Sequence, residues 1–305
     1  MLAIEHDNMT AALEWAIDNE NADLALEMVG NLWRFWQARG HLVDAEGRIG
    51  KVLTLEGGEP WSRAMALEAQ GGVAYWKGDW GAARGPYQEA LVLLRMHGDP
   101  TQIANALYNL SFPVTYMGAT GQAIDYLTES PSIAEDIDDR LGIGRAYWGF
   151  CFVATMAKDY EDTIPHAERA AAEFELLDSP FDLGWTRFML AQTHYLLGNS
   201  DGARQYVDMA IPLFVTTRDL AAVVLSLYLN VAITISEGDE NRAALMLGAA
   251  KTLKLRTGAT IADVEQNQYE DVTTLMNDSR TGIQEAIEAG RRMTTEQAMA
   301  LAATV

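Results

Sequence analysis

The sequence predicts an all-α fold: a right-handed α-solenoid of helix pairs with a period of 40 residues. Three observations carry that expectation. Turn-like strings recur at one interval, with GDWGAA at Gly78, GATGQA at Gly118, KDYEDT at Lys158, GNSDGA at Gly198 and GDENRA at Gly238. Small residues keep fixed offsets from those turns. Gly71, Ser111, Cys151, Ala191 and Val231 precede them; Ala83, Ala123, Thr163, Ala203 and Ala243 follow, and then Ala90, Ser130, Ala170, Ala210 and Ala250. Composition is the third observation: Ala, Leu and Met are plentiful, and only 8 of the 305 residues are proline.

In chain order, residues 1–57 read as N-terminal helices leading into the solenoid: DNMTAALEWAIDNEN, ADLALEMVGNLWRFWQARG and HLVDAEGRIGKVLTLE. Residues 58–258 hold the five repeats. Each runs helix A, short Gly/Asp turn, helix B, with apolar residues at three- and four-residue steps on both sides of the turn. Glycine there supplies the left-handed residue that ends helix A, and a neighbouring Asp or Asn can cap helix B. Between repeats stand Gly98-Asp99, Asp138-Asp139, Asp178-Ser179 and Arg218-Asp219. Pro113, Pro131 and Pro212 fall inside expected helices, where each removes a hydrogen bond and should kink its helix. Residues 259–305, with IADVEQNQYEDVTTLMND and TTEQAMALAAT, read as capping helices, for about fifteen helices in all.

Charge and cysteine usage narrow the function classes. With 43 acidic against 22 basic residues the formal charge is −21, and no Lys/Arg cluster offsets it, so direct nucleic-acid binding is not expected. A single cysteine leaves no intramolecular disulfide or CxxC site, which fits a reducing compartment. The opening MLAIEHDN meets acids too early for a secretion signal. The longest uncharged run, Leu220 to Ser236, is 17 residues, short of the roughly 20 a membrane span needs. A soluble, cytoplasmic chain without metal or cofactor is the expectation.

Chemical motifs dissolve into the repeat. Gly198-Asn199-Ser200-Asp201-Gly202 matches G-x-S-x-G, but a nucleophile elbow needs a strand before its serine, and a helix precedes Ser200. A serine hydrolase using Ser200 is therefore the weakest reading, and no enzyme activity is expected. Gly142-Ile143-Gly144 reads as the start of a helix A rather than a dinucleotide fingerprint, and Gly50-Lys51 lacks the Ser or Thr of a P-loop. The five histidines form no H-x-x-x-H pair, and His194 is expected in the core. Cys151 occupies a small slot of the repeat and should be buried and inert.

The small–turn–small spacing resembles the tetratricopeptide repeat, stretched by longer helices. The resemblance implies that one side of helix A lines a concave groove. On that side stand Tyr108, Trp148, Phe188 and Tyr228, with Glu68 at the same offset in the first repeat. Asn105, Arg145 and Trp185 lie one turn before them, and Phe112, Phe152, Gln192 and Tyr195 beyond. An aromatic column with a few polar groups suits a ligand or peptide, and Arg145, the lone cation, would suit a carboxylate or phosphate. The alternative is that these aromatics fill space between long helices.

The chain ends point to a family. Glu5-His6-Asp7-Asn8, Ala11-Ala12-Leu13, Trp15, Leu32-Trp33, Phe35-Trp36, Arg39-Gly40-His41 and Glu46-Gly47-Arg48 resemble the start of the helical-repeat region in STAND-class signalling ATPases. Arg242-Ala243-Ala244, Gly248-Ala249-Ala250, Gly290-Arg291 and Met293-Thr294 with Glu296 and Ala298 agree at the far end, while Ile49 departs from the family's Trp. The resemblance implies a sensor region for a small-molecule inducer or a peptide or protein partner. In the family it is joined to an ATPase and to a LuxR- or SARP-type DNA-binding module, a layout similar to that of the maltotriose-responsive activator. None of those ATP- or DNA-binding motifs occurs in this chain. A free-standing adaptor that binds a peptide in the groove is the alternative.

Overall fold

The computed structural model describes residues 6–39, 41–257, 269, 272, 274–275 and 277–303. Among them are fifteen α-helices and no strand. α1 (His6–Asp18), α2 (Ala22–Arg39) and α3 (Leu42–Leu53) lead into five helix pairs. The pairs are α4 and α5 (Pro60–Trp76, Trp80–His97), α6 and α7 (Pro100–Tyr116, Thr120–Asp136), and α8 and α9 (Arg140–Met156, Tyr160–Leu176). After them come α10 and α11 (Pro180–Leu196, Ser200–Thr217), then α12 and α13 (Leu220–Ser236, Glu240–Thr257). α14 (Thr281–Arg291) and α15 (Thr295–Ala303) follow. The expected helix within 261–278 lies mostly outside the described residues, although Val272, Thr274 and Leu275 are helical.

The spacing of the pairs comes from one turn used again and again. Gly78 (φ 77°), Gly118 (79°), Gly198 (75°) and Gly238 (88°) are left-handed, as the sequence leads one to expect. The Gly78 amide donates to the Tyr75 carbonyl (2.9 Å) and the Asp79 amide to the Ala74 carbonyl (3.0 Å), which satisfies the last carbonyls of α4. Lys158 (62°), Asp138 (55°), Asp178 (49°) and Arg218 (57°) take the same conformation without glycine. In most pairs the next residue then caps the following helix, Ala119 and Ser179 being the exceptions. Asp79, Asp139, Asp159, Asn199, Asp219 and Asp239 each accept from the backbone amide three residues on. Gly98 departs from the pattern. Its φ is −88°, and α6 instead begins with a capping box of Asp99 and Gln102 followed by Pro100.

The small residues sit where helices A and B meet. Ser111, Cys151, Ala191 and Val231 are fully buried, as are Ala83, Ala123, Thr163, Ala203 and Ala243. A Cβ on Gly71 would stand 2.9 Å from the Tyr87 ring, so the ring occupies the space a side chain would need. Gly144 and Gly184 make the same room for Phe174 and Phe214, small residue against large across one pair. α6, α7 and α11 continue as helices through Pro113, Pro131 and Pro212, as do α5 and α9 through Pro86 and Pro165.

The chain divides into two compact units, Met1–Gly142 and Ile143–Val305. In the second, every residue of α12 from Ala221 to Thr234 is buried, so the long uncharged run is a core helix. No helix among the described residues is long and apolar enough to cross a membrane. α13 and α14 meet backbone to backbone. A Cβ on Gly248 would lie 2.0 Å from the Ile287 carbonyl oxygen, and one on Gly290 would lie 2.0 Å from that of Leu245. Thr252 Oγ1 adds a hydrogen bond to the Arg291 carbonyl at 3.0 Å.

Candidate functional site

In the first unit, α4 and α6 bring the sequence-expected residues beside an aromatic cluster. Asn105 and Tyr108 are half-buried and Phe112 is buried. Tyr108 meets Phe112 edge-on at 4.8 Å, and Phe112 leads to Tyr75 at 5.9 Å. Tyr75 in turn contacts Trp80 and Tyr116, which stack on each other at 4.0 Å, 6° from parallel. Sequence reasoning passed over Tyr75, Trp80 and Tyr116. Tyr75 holds the same repeat offset as Tyr195, Trp80 that of Tyr160 and Tyr116 that of Trp76, so the period could have flagged all three. The Glu68 carboxylate accepts from Asn109 Nδ2 at 3.1 Å. Burial is the largest influence on it and lifts its pKa above the ordinary 4.5, against the lowering effects of Asn109 and Arg34.

In the second unit the remaining residues line α8, α10 and α12. Trp148 is half-buried and stacks on Phe152 (6.1 Å, 12°), which is buried. Trp185 is half-buried and meets Phe188 and Phe214 edge-on at 5.9 and 5.3 Å. Phe188 is 3% exposed and Tyr228 0%, so the column grows more enclosed toward α12. Burial pushes the Tyr228 hydroxyl up to about 12, and its oxygen has no hydrogen-bond partner among the described residues. Arg145 is ion-paired. Its Nε donates to Asp182 Oδ1 at 3.3 Å, while Asp182 Oδ2 accepts from Ser179 Oγ at 2.6 Å. That pairing ties the first turn of α10 to α8 and reduces the charge Arg145 offers an anion.

Residues from beyond the repeats also pack here. Tyr269, 1% exposed, places its hydroxyl 2.9 Å from Gln192 Nε2, which donates to it, and its ring meets Tyr195 edge-on at 5.6 Å. Val272 (0% exposed) and Leu275 (5%) join Phe188 and Tyr228 in one apolar cluster. Nothing in the repeat register could have flagged Tyr269, because the period ends before it.

The motif residues fall into structural places. Ser200 opens α11 after a helix and a turn, and its Oγ lies 3.2 Å from Ser236 Oγ. Cys151 is fully buried, and burial holds its thiol far above the ordinary range. His194 is half-buried rather than in the core, stacked on Tyr206 at 5.3 Å with Nδ1 3.1 Å from Asn199 Nδ2. No group of three or more His, Cys, Asp or Glu among the described residues could hold a metal ion.

Comparison with known proteins agrees with this architecture. A Rap protein complexed with Competence and Sporulation Factor superposes with a TM-score of 0.67, 13% identity, and coverage of 94% of this chain and 87% of that one. Aspartyl phosphate phosphatase F of Bacillus subtilis gives 0.57 and 16%, covering 91% of this chain and 92% of that one. A tetratricopeptide repeat protein of Parabacteroides merdae gives 0.56 and 16%, covering 95% and 94%. At these identities the likeness establishes the fold, a tetratricopeptide-like α-solenoid. No protein-family model matches the chain. In sequence, proteins of Mycobacterium tuberculosis and Mycobacterium bovis, provisionally named HTH-type transcriptional regulators, are 28% identical over 182 residues. That match covers 55% of this chain and 19% of those proteins, so the chain spans about a fifth of their length.

Proposed function

We propose that this chain is the sensing part of a bacterial transcriptional regulator, a non-catalytic helical-repeat module that binds an inducer or partner on its A-helix wall. The observation that carries the reading is the grouping of Arg145, Trp148, Phe152, Trp185, Gln192 and Tyr195 along α8 and α10: the half-buried Trp148, Trp185 and Tyr195 and the buried Phe152 beside a small set of fixed polar groups. Such a surface offers large rigid contact area with a few orienting hydrogen bonds. Asn105, Tyr108 and Phe112 contribute a second aromatic surface of the same kind on the first unit. The mycobacterial relatives are about five times longer than the matched stretch, which supports a parent protein that carries ATPase and DNA-binding modules elsewhere.

The reading is tested in the intact regulator by comparing transcript profiles of strains carrying the wild type, Trp148→Ala and Arg145→Gln. Trp148→Ala is expected to cost less than the roughly 3–5 kcal/mol of a buried aromatic, measured by urea unfolding, and to change expression at the same promoters as removal of the regulator. A folded Trp148→Ala protein with an unchanged transcript profile sinks the proposal, as does a loss of stability in the full buried-Trp range.

A further inference from the structure

We infer that the segment carrying Tyr269, Val272 and Leu275 is a built-in occupant of the second unit's A-helix wall, and that the partner of this wall is an amphipathic helical peptide that displaces it. The inference rests on the binding reading above and names the partner's chemistry: a phenol or similar aromatic hydroxyl, with aliphatic side chains three and six positions later.

Three features converge. Gln192 and Tyr195 lie at groove positions of helix A, not at the A–B seam, where Ala191 packs. Both are taken up by one side chain from beyond the repeats, through a 2.9 Å hydrogen bond and an edge-to-face ring contact. Tyr269, Val272 and Leu275 are spaced i, i+3 and i+6, one face of a helix, and Val272 and Leu275 are helical. Their side chains are buried with Phe188 and Tyr228 while Thr274 between them is exposed. A helix laid by its apolar face into a groove is a recurring mode of peptide recognition, read as anchors at these spacings.

The consequence is competition. A segment tethered to its own seat acts at an effective concentration on the order of millimolar, so an outside peptide of equal intrinsic affinity barely registers. A partner with better anchors, or one delivered at high local concentration, replaces Tyr269 and frees the C-terminal segment.

The probe is a synthetic fluorescein-labelled peptide of residues 261–278, IADVEQNQYEDVTTLMND, titrated into the full chain. Tyr269→Ala, which weakens the resident occupant, is expected to bind the peptide at least about 10-fold more tightly than the wild type, the release expected when a tethered competitor is removed. Adding Gln192→Leu to that variant should reverse the gain. Hydrogen exchange on the wild type gives a second readout that needs no variant to fold. Amides of residues 269–275 should exchange by local opening, at least about 10-fold faster than those of α12. Equal binding by wild type and Tyr269→Ala, or exchange of the segment only together with α12, overturns the inference. If the peptide and exchange results fail while Trp148→Ala still alters transcription, the occupant idea falls and the sensing role stands.

Discussion

Glu68 shows how a single carboxylate can oppose the fold that holds it. Its folded-state pKa is raised above 4.5, mainly by burial, so the folded protein binds its proton more tightly than the unfolded chain does. The stability penalty is therefore absent below that value and grows as pH rises through the folded-state pKa. Glu68→Gln keeps an oxygen for Asn109 and removes the charge, so we expect it to stabilise the protein at pH 7 and to be neutral near pH 4. Urea unfolding across that range checks it; a variant less stable than wild type at pH 7 would show that the charge is held by attraction, with Arg34 the partner. At this scale the sequence was legible for the residues inside the register. Cys151 could be placed in a buried slot from the small residues before and after it in the period. Arg145 could not be read in the same way, because its partner Asp182 sits on another helix and carries no periodic signal.

At the scale of the helix and its turn, the sequence is most informative where one slot is filled differently in sibling repeats. Lys158 adopts φ 62° where Gly78, Gly118, Gly198 and Gly238 stand in the other pairs. A left-handed residue with a Cβ is strained by roughly 1–2 kcal/mol, so Lys158→Gly should raise stability by about 1 kcal/mol after the entropy of glycine is counted. A denaturation midpoint that falls would show that the Lys158 side chain contributes more than its backbone costs. The glycines of α13 and α14 make the opposite case. Gly248→Ala drives a methyl into the Ile287 carbonyl and should cost about 3 kcal/mol, while Gly47→Ala, with open space around it in α3, should gain up to about 1 kcal/mol. Equal midpoints for the two variants would mean that the α13–α14 crossing relaxes freely. Helix packing of this intimacy was not visible beforehand: Gly248 and Gly290 are far apart in sequence, and neither belongs to the repeat's small-residue slots.

For the molecule as a whole, the period made the architecture readable before any coordinates, because each helix pair can bury its apolar face only against a neighbour of the same kind. What the period could not convey is the part outside it, the C-terminal residues that reach back to α10. The charge of −21 is also a property of the whole chain. The ion pairs Lys77–Glu46 and Arg95–Glu129 are exposed enough to be worth no more than about 1 kcal/mol each. Self-repulsion should outweigh them, so raising salt to ~0.5 M, where screening acts within about 4 Å, is expected to increase the melting temperature. A decrease would mean that attractive pairs dominate the surface.

The repeated three-residue turn has a consequence for heredity. From Pro60 to Glu240 each helix begins twenty residues after the one before it, closed by the same kind of turn except at Gly98. A gene encoding such a chain can gain or lose one 40-residue stretch by unequal crossing-over between turns, and every small residue downstream lands in a slot already shaped for it. An insertion of any other length would set Gly, Ala and Cys against the wrong partners. The turns are thus the places where the length of this protein can change without its packing having to be reinvented.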